Sequence, residues 1–347
     1  MSFDPAFTVL LPFLRQQDGK SVWIADENAL EVVGLLPACD NMDIVSNRLD
    51  VVAAASASGH SAIFSDFDFS GYAPGSVQRI IYRISKEKPV VHHVLNHAYQ
   101  LLVPGGELWI AGLKTDGTKT YIEKCRPVFG NGSIEKSGAA YLGHFRKSNN
   151  VLHAALLDDQ DYASLRMIQT PALDFYSKPG VFGWNRIDQG SAFLLDALPD
   201  CLKNFPVPPQ SLLDLGCGYG YLTIMTRDLP LSRRVATDNN AAALLAMRCN
   251  ADHYGINVDV MPADAGDALD GLFDLVLCNP PFHQGFSVAG DLTDKFLRGA
   301  RRLLSPQGTA LFVVNQFVGL ERKAGAYFSV VDVLANNSSF KVVRVQV

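Results

Sequence analysis

The motif Asn279-Pro280-Pro281-Phe282 combines two hydrogen-bond acceptors with a flat ring. It follows the apolar run 273–278, which is typical of a buried parallel strand, and its prolines prevent that strand from continuing. The side-chain oxygen of Asn279 and the carbonyl oxygen of Pro280 could each accept one N–H of a planar amino group, while Phe282 stacks on the ring that carries it. Such a motif suits in-line alkylation of a weakly nucleophilic exocyclic amine, which requires no strong base.

The prolines alone would also explain the end of a strand. A lone Asn-Pro-Pro is more often a strand terminator than a catalytic motif. Here it ends the fourth predicted strand of a sheet that also carries a glycine-rich turn, and open α/β sheets bind ligands at this carboxyl edge. We therefore predict that Asn279, Pro280 and Phe282 are catalytic and that Phe282 and His283 contact the substrate. His283 could accept a proton or be an ordinary loop residue.

A glycine-rich turn follows the predicted strand 211–215 and has the spacing Gly216-x-Gly218-x-Gly220. Glycines at these places make a tight turn and let a ligand approach the backbone. Asp238, at the end of the next predicted strand, is placed to accept hydrogen bonds from ribose hydroxyls. A dinucleotide fingerprint would read G-x-G-x-x-G, so this spacing favours a nucleoside that carries an amine and no pyrophosphate, namely S-adenosylmethionine.

Further polar residues extend the predicted cofactor site. We expect Asp214, inside the strand 211–215, near the methionine moiety, and Asp264, after the third strand, near the adenine amino group. A glycine-rich turn alone is weak evidence, but acidic residues at successive strand ends favour a methyltransferase. The predicted cofactor ligands of this half of the site are Asp214, Gly216, Cys217, Gly218, Gly220, Asp238, Asn239, Asp264 and Asn279.

Composition limits the class of protein. The 347 residues are 48% apolar and 19% charged, as in a globular protein with a sizeable core. No apolar stretch approaches the ~18 residues of a membrane span, and the N-terminus lacks the basic region of a signal peptide, so we expect a cytoplasmic protein. The six cysteines include no C-x-x-C pair, and His93 and His97 have no evident third ligand, so we expect neither disulfides nor a metal.

Alternating predicted strands and helices indicate a doubly wound, mainly parallel α/β sheet in each half of the chain. The pattern of residues 92–111, a helix, a Leu-Leu pair, a proline turn and a strand, recurs at 293–313, so we infer an internal duplication. The first copy lacks the glycine triplet and has residues 83–86 where the second has its Asn-Pro-Pro-Phe motif, so we expect it to be degenerate. The predicted domains are 1–150, for RNA binding or support, 151–190, a connection that closes the pocket, and 191–347, the catalytic domain.

The formal net charge of −5 argues against a protein that binds nucleic acid over its whole surface. Any such partner must therefore be held by local basic patches. One patch follows the Asn-Pro-Pro motif and contains Arg298, Arg301 and Arg302, and a second, in the first half of the chain, includes Arg83 and Lys86. Solvated helix and loop faces would explain both patches as well as phosphate contacts do.

Three segments, together with the degenerate N-terminal copy, form a recognisable combination. They are Asp214-Leu215-Gly216-Cys217-Gly218, the block from Cys278 to Gln284, and Pro179-Gly180-Val181-Phe182 with Asp188 and Gly190. The combination resembles the RsmC/RlmG family of ribosomal RNA guanine-N2 methyltransferases over nearly the whole chain. The resemblance implies two tandem Rossmann-like class I methyltransferase folds, and transfer of a methyl group from S-adenosylmethionine to the N2 amine of one guanosine.

The same resemblance implies further roles. Gly180 and Phe182 would help to close the cofactor pocket, and the N-terminal copy would bind RNA or stabilise the catalytic half. The stretch 138–143 is more similar to the small-subunit branch of the family, so the implied partner is 16S ribosomal RNA in the small ribosomal subunit. No membrane or metal partner is expected, and a monomer is favoured.

Three other interpretations stay open at this stage. A large-subunit 23S ribosomal RNA enzyme would share the same motifs. A protein-glutamine or adenine-N6 methyltransferase would also use Asn-Pro-Pro followed by an aromatic residue, although adenine-N6 enzymes more often have Tyr or Trp at the position of Phe282. A non-enzymatic RNA-binding assembly factor would keep the fold without using the cofactor, and the intact Asp238 and Asn279 argue against it.

Overall fold

The computed structural model describes residues 4–130, 132–148, 156–281 and 286–347, with 286–291 described by their backbone alone. The chain divides into two compact units, Met1–Ser164 and Leu165–Val347. Each unit contains one seven-stranded sheet. Within the described ranges, no helix is both long and apolar enough to cross a membrane.

The first unit alternates strands and helices over most of its length. Its strands are β1 (Ser21–Ala25), β2 (Met42–Ser46), β3 (Ser61–Phe64), β4 (Val77–Arg83), β5 (Leu102–Leu113), β6 (Gly132–Ser137) and β7 (Ala140–Arg146). Its helices are α1 (Pro5–Leu14), α2 (Leu30–Val33), α3 (Leu49–Ala57), α4 (Lys88–Leu101) and α5 (Thr118–Phe129). The strand order is β3-β2-β1-β4-β5-β7-β6, parallel from β3 to β5, with β7 antiparallel to both β5 and β6.

The second unit begins with a separate two-stranded sheet and continues with the larger one. Its strands are β8 (Arg166–Ile168), β9 (Phe175–Ser177), β10 (Ser211–Leu215), β11 (Arg233–Asp238), β12 (Asp259–Pro262), β13 (Phe273–Cys278), β14 (Leu304–Asn315), β15 (Val330–Asn336) and β16 (Phe340–Gln346). Its helices are α6 (Gln189–Lys203), α7 (Tyr221–Met225), α8 (Ala241–Tyr254), α9 (Phe286–Leu303) and α10 (Leu320–Ala324). The order of the larger sheet is β12-β11-β10-β13-β14-β16-β15, again with an antiparallel pair at the end.

Strands β10 and β13 lie at the centre of the second sheet because they carry apolar residues on both faces. Leu213 and Leu215 pack on one face of the sheet, while Leu212 and Leu277 pack on the other. Full burial of one such leucine contributes about 1.5–3 kcal/mol. The chain runs outward from β10 to β12 and returns to β13, so the strand order reverses between β10 and β13, which is where such folds bind ligands.

The two large sheets have the same strand order, as the predicted duplication requires. The sheet register also aligns the copies. Tyr82 pairs with Ile110, six residues after Pro104, and Cys278 pairs with Phe312, six residues after Pro306. The next residues, Arg83 and Asn279, therefore occupy equivalent positions. The predicted fold class, two tandem doubly wound units with a degenerate first copy, is confirmed.

One contact recurs in both copies. Helix α1 packs on β5 and begins after the capping residue Asp4, whereas α6 packs on β14 and begins after the capping residue Asp188. Asp4 Oδ2 accepts a hydrogen bond from Arg83 Nε at 2.9 Å, and Asp188 Oδ1 accepts one from Asn279 Nδ2 at 2.7 Å. In each copy the helix cap therefore holds a side chain at the carboxyl end of the fourth strand, which is the last residue of β4 in the first copy and the residue after β13 in the second.

Candidate active site

The glycine turn after β10 requires its glycines. Gly216, Gly218 and Gly220 have φ angles of +83°, +55° and +94°, in the left-handed region. A Cβ atom on Gly220 would lie 2.1 Å from Sδ of Met247, so any side chain at that position would collide with the core. A Cβ atom on Gly218 would meet no atom within 4 Å, so a ligand has room to approach the backbone there. This arrangement fits a nucleoside cofactor.

Asp238 connects this turn to the end of β11. Its Oδ2 accepts a hydrogen bond from the backbone N–H of Gly218 at 3.0 Å, and its Oδ1 accepts one from that of Asn240 at 2.9 Å. The Asn240 side chain donates in turn to the carbonyl oxygen of Gly180 at 2.9 Å. Three residues predicted at the cofactor, Gly180, Gly218 and Asp238, are thus linked by one chain of hydrogen bonds.

Asp264 follows β12 and meets a second predicted residue. Asn239 Nδ2 donates to Asp264 Oδ1 at 3.5 Å, and Lys295 of α9, which sequence reasoning missed, forms an ion pair with the other carboxylate oxygen. The lysine side chain is 37% exposed, and ion pairs of this kind contribute roughly 0–1 kcal/mol. An adenine amino group could therefore take the place of the lysine as the donor to Asp264.

Asp214 is buried within β10 and is 1% exposed. Its Oδ2 accepts hydrogen bonds from the hydroxyl of Thr223 at 2.7 Å and from the Thr223 backbone N–H at 3.1 Å. Its Oδ1 has no hydrogen-bond partner among the described residues. Burial raises the pKa of Asp214 to about 7, although the bonds from Thr223 act in the opposite direction. Its predicted position near the methionine moiety stays a prediction.

The raised pKa of Asp214 predicts a specific dependence of stability on pH. Between the unfolded pKa, about 4, and the folded pKa of about 7, the unfolded chain loses a proton that the folded chain retains, so the contribution of Asp214 to stability falls as pH rises. Asp214→Asn removes this titration and should unfold at a higher temperature than the wild type at pH 8, but not at pH 4. Thermal unfolding of both proteins across this range measures the effect, and parallel curves would contradict it.

Asn279 directly follows β13, and its side-chain amide has a fixed orientation. Nδ2 donates to Oδ1 of Asp188 at 2.7 Å and to Oγ of Ser191 at 2.8 Å. A carboxylate can only accept hydrogen bonds, so the amide nitrogen must face Asp188 and the amide oxygen must face away from it. Within the described ranges, no donor contacts that oxygen. Asn279 therefore offers an acceptor to a further N–H group.

Sequence reasoning did not assign Asp188 and Ser191 to the site. Asp188 caps α6, with Oδ1 accepting from the Ser191 backbone N–H at 2.9 Å. The signal for this cap is local, an aspartate three residues before a serine at the start of an apolar helix. The contact with Asn279 spans 91 positions of the chain, and no local pattern predicts it.

Asn279 and Pro280 line a recess that is open to solvent. Its other lining residues are Phe182, Asp188, Val314, Asn315 and Phe340. Phe182, predicted at the cofactor, thus lies beside Asn279 and is 54% exposed. Phe340, at the start of β16, was not predicted. The recess therefore brings the side chain of Asn279 next to two phenyl rings.

Three further residues were predicted at the site, Phe282, His283 and Cys217. Phe282 and His283 lie outside the described residues, so their substrate roles stay predictions. Cys217 is buried, and burial raises the pKa of its thiol well above the usual value, which leaves it protonated. In the described part of the chain, no cluster of histidine, cysteine, aspartate or glutamate side chains is arranged to hold a metal ion.

The basic residues predicted to contact RNA differ in their surroundings. Arg298, Arg301 and Arg302 are exposed on α9, yet each also donates to a nearby backbone carbonyl oxygen. Arg83 is only 5% exposed and forms ion pairs of 2.9 Å with both Asp4 and Asp116. Removal of one partner from a buried ion pair costs about 3–5 kcal/mol, so the geometry gives Arg83 a structural role in its unit.

The fold and the site define a class of protein. A glycine turn and an acidic strand end, at the reversal point of a doubly wound sheet, are features of a domain that binds a nucleoside cofactor. Residues 172–344 match the family model described as "Methyltransferase small domain". A solved structure of the T. thermophilus 16S rRNA N2 methyltransferase RsmC, in complex with AdoMet and guanosine, has the same fold. It has a TM-score of 0.81 and 23% identity, and the match covers 99% of this chain and 92% of that one.

Curated relatives narrow the class to one family. The Ribosomal RNA small subunit methyltransferase C of Mannheimia succiniciproducens is 30% identical over 83% of this chain and 83% of its own. The protein of the same name from Haemophilus influenzae strain PittGG is 28% identical over 95% of each chain. The chain belongs to the ribosomal RNA small subunit methyltransferase C family. The resemblance inferred from the glycine turn and the Asn-Pro-Pro-Phe block is confirmed.

Proposed function

We propose that this chain transfers a methyl group from S-adenosylmethionine to the exocyclic N2 amine of a guanosine in 16S ribosomal RNA. Membership of the family supports the reaction. The observation that carries the proposal in this molecule is the amide of Asn279, whose nitrogen is held by Asp188 and Ser191 while its oxygen has no donor among the described residues. An amine bound to that oxygen would lie at the end of β13. Strand β13 pairs with β10, which leads into the glycine turn.

S-adenosylmethionine supplies an electrophilic methyl group on a sulfonium. The guanine N2 lone pair is delocalised into the ring, so the protein must hold the nitrogen in line with the methyl group and favour its tetrahedral geometry. Asn279 Oδ1 and the carbonyl oxygen of Pro280 would each accept a hydrogen bond from one N–H of the amine. These two hydrogen bonds would align the nitrogen with the methyl group and favour its tetrahedral geometry. With the amine held in this way, its nitrogen lone pair would form the new N–C bond as the C–S bond breaks and leaves its electron pair on sulfur, and one N–H proton would be released to solvent.

Two aromatic side chains would position the base. Phe182 and Phe340 line the same recess as Asn279, and the planar guanine ring can pack against such rings. Phe282 is proposed for the same purpose on the basis of the sequence motif. Asp238 would accept hydrogen bonds from the ribose of the cofactor, and Asp264 from the adenine amino group, each at a successive strand end.

The first unit is proposed to bind RNA or to support the catalytic unit. Arg83 forms ion pairs with Asp4 and Asp116. We therefore propose the phosphate contact for Lys86 instead. Lys86 is exposed after β4, and Lys114 is exposed directly after the neighbouring strand β5. Because the carboxyl ends of these parallel strands share one edge of the sheet, the two lysines add positive charge to that edge.

Lys86→Gln with Lys114→Gln should weaken RNA binding. The slope of log K against log salt should become shallower by about 0.7–0.9 for each RNA phosphate that a lysine no longer neutralises. Titration of ribosomal RNA at several salt concentrations measures this slope. Lys203→Gln is the control, because Lys203 is 75% exposed in the other unit and forms a local ion pair with Asp200. An unchanged slope in the double variant would show that the two lysines are only solvated and do not contact RNA phosphates.

The experiment that tests the reaction uses the whole chain, isotope-labelled S-adenosylmethionine and undermodified ribosomal subunits. Nucleoside mass spectrometry should then detect labelled N2-methylguanosine in 16S RNA. The same nucleoside in 23S RNA would identify a large-subunit enzyme, and label in N6-methyladenosine or in protein would identify the other aminomethylating classes. Absence of cofactor binding by calorimetry would support the non-enzymatic alternative.

A further inference from the structure

Two phenylalanines differ from the others in their exposure. The chain contains 20 phenylalanines, and among those whose side chains the structure describes only Phe182 and Phe317 are exposed, at 54% and 94%. Phe182 lines the Asn279 recess. Phe317 follows Val314 and Asn315, which line the same recess. The two exposed phenylalanines therefore belong to segments that meet at the site, whereas single exposed apolar residues elsewhere are ordinary.

The backbone holds Phe317 in a defined place. The N–H of Val318 donates to the carbonyl oxygen of Asn315 at 2.9 Å, which closes a tight turn with Phe317 as its third residue. The N–H of Gln316 donates to the carbonyl oxygen of Ser339 at 2.9 Å, which ties the turn to the start of β16. On the other side, Leu320 is fully buried in the core. The turn is thus anchored at both ends, which fixes the position of the Phe317 backbone beside the recess.

A nucleobase is the partner that this geometry fits. An amine on the edge of a base reaches an acceptor that lies in a recess, as Asn279 does, only when the base leaves its stack, and this exposes the faces of the neighbouring bases. Unstacked bases in RNA are commonly covered by aromatic side chains. Phe317 is not part of the recess lining, so its ring is available to a neighbour of the target rather than to the target itself.

We propose that Phe317 stacks on an RNA base adjacent to the methylated guanosine and holds the RNA strand open at the recess. This inference rests on the proposed function. It concerns the RNA chain around the target, and it assigns Phe317 no role toward the cofactor or the reacting amine.

Substitutions at Phe317 give a clean test, because an exposed side chain contributes little to folding. Phe317→Ala should lower kcat/KM for undermodified small ribosomal subunits by about 10- to 100-fold, the loss typical of one base stack. Phe317→Trp should keep the wild-type value, since indole offers a larger flat face. Phe317→Leu should lose as much as the alanine variant, because leucine is apolar but not flat. The unfolding temperature and the Kd for S-adenosylmethionine should not change in any of them.

Val207→Ala is the matched control, since Val207 is 66% exposed in the same unit and should be replaceable without effect. Wild-type kcat/KM in Phe317→Ala would overturn the proposal. Full activity in Phe317→Leu would also overturn it, because it would identify an apolar contact with a ribosomal protein in place of a base stack. If the wild-type chain forms no N2-methylguanosine, the proposed function fails instead, so the two failures are distinguishable.

Discussion

Asn279→Ala is expected to lower kcat by about 10²–10³-fold, the usual effect of removing one preorganised polar contact from a transition state. The variant loses the oxygen that would accept an N–H of the target amine, while the glycine turn and Asp238 are untouched. The Kd for S-adenosylmethionine should therefore stay close to that of the wild type. Single-turnover methyl transfer and calorimetric titration of the cofactor separate the two effects.

The helix cap provides the matched control for this prediction. Asp188→Asn keeps an oxygen that can accept from both Ser191 and Asn279, so it should retain most of the activity. Asp188→Ser keeps a capping oxygen for α6 but is too short to reach the amide of Asn279. Its kcat should fall with little loss of thermal stability, because the Asn279 amide then keeps only the hydrogen bond to Ser191 Oγ and is oriented less firmly. Equal loss of cofactor affinity in Asn279→Ala and in Asp238→Ala would contradict the roles assigned to the two residues.

Local patterns in the sequence were sufficient for the central strands and the turns between them. Strands β10 and β13 are mainly apolar, and β14 contains the apolar run 310–314, because both faces of these segments are buried. The spacing from Gly216 to Gly220 predicted the turn because only glycine adopts those backbone angles without strain. The prolines after Asn279 predicted the end of β13 for an equally local reason.

Edge strands and long-range contacts could not be predicted in the same way. Strand β3 has four residues of mixed exposure, and β6 is almost entirely exposed, so neither strand shows a buried apolar run. Both strands form because the backbone of a neighbouring strand pairs with them. Arg83 was assigned to a basic patch from its charge alone. Its partner Asp4 is 79 positions away, and only the folded chain shows that the arginine is buried.

Asp238→Ala is expected to weaken S-adenosylmethionine binding by about 10- to 100-fold, since hydrogen bonds to a charged group contribute roughly 1.5–3 kcal/mol. Both carboxylate oxygens accept a backbone N–H, from Gly218 and Asn240, and a carboxylate oxygen can accept more than one hydrogen bond, so a ribose hydroxyl can donate to the same group. The alanine variant therefore loses the ribose acceptors and also releases the glycine turn and, through Asn240, the segment that contains Gly180.

This double role distinguishes Asp238→Ala from Asp238→Asn. The asparagine keeps one acceptor oxygen and so retains either the turn or part of the ribose contact, and its Kd should lie between those of the wild type and the alanine variant. At saturating cofactor, kcat should recover in both variants, because Asn279 and its partners Asp188 and Ser191 are unaffected. A kcat that stays low at saturation would mean that Asp238 also sets the position of the methyl group relative to the amine.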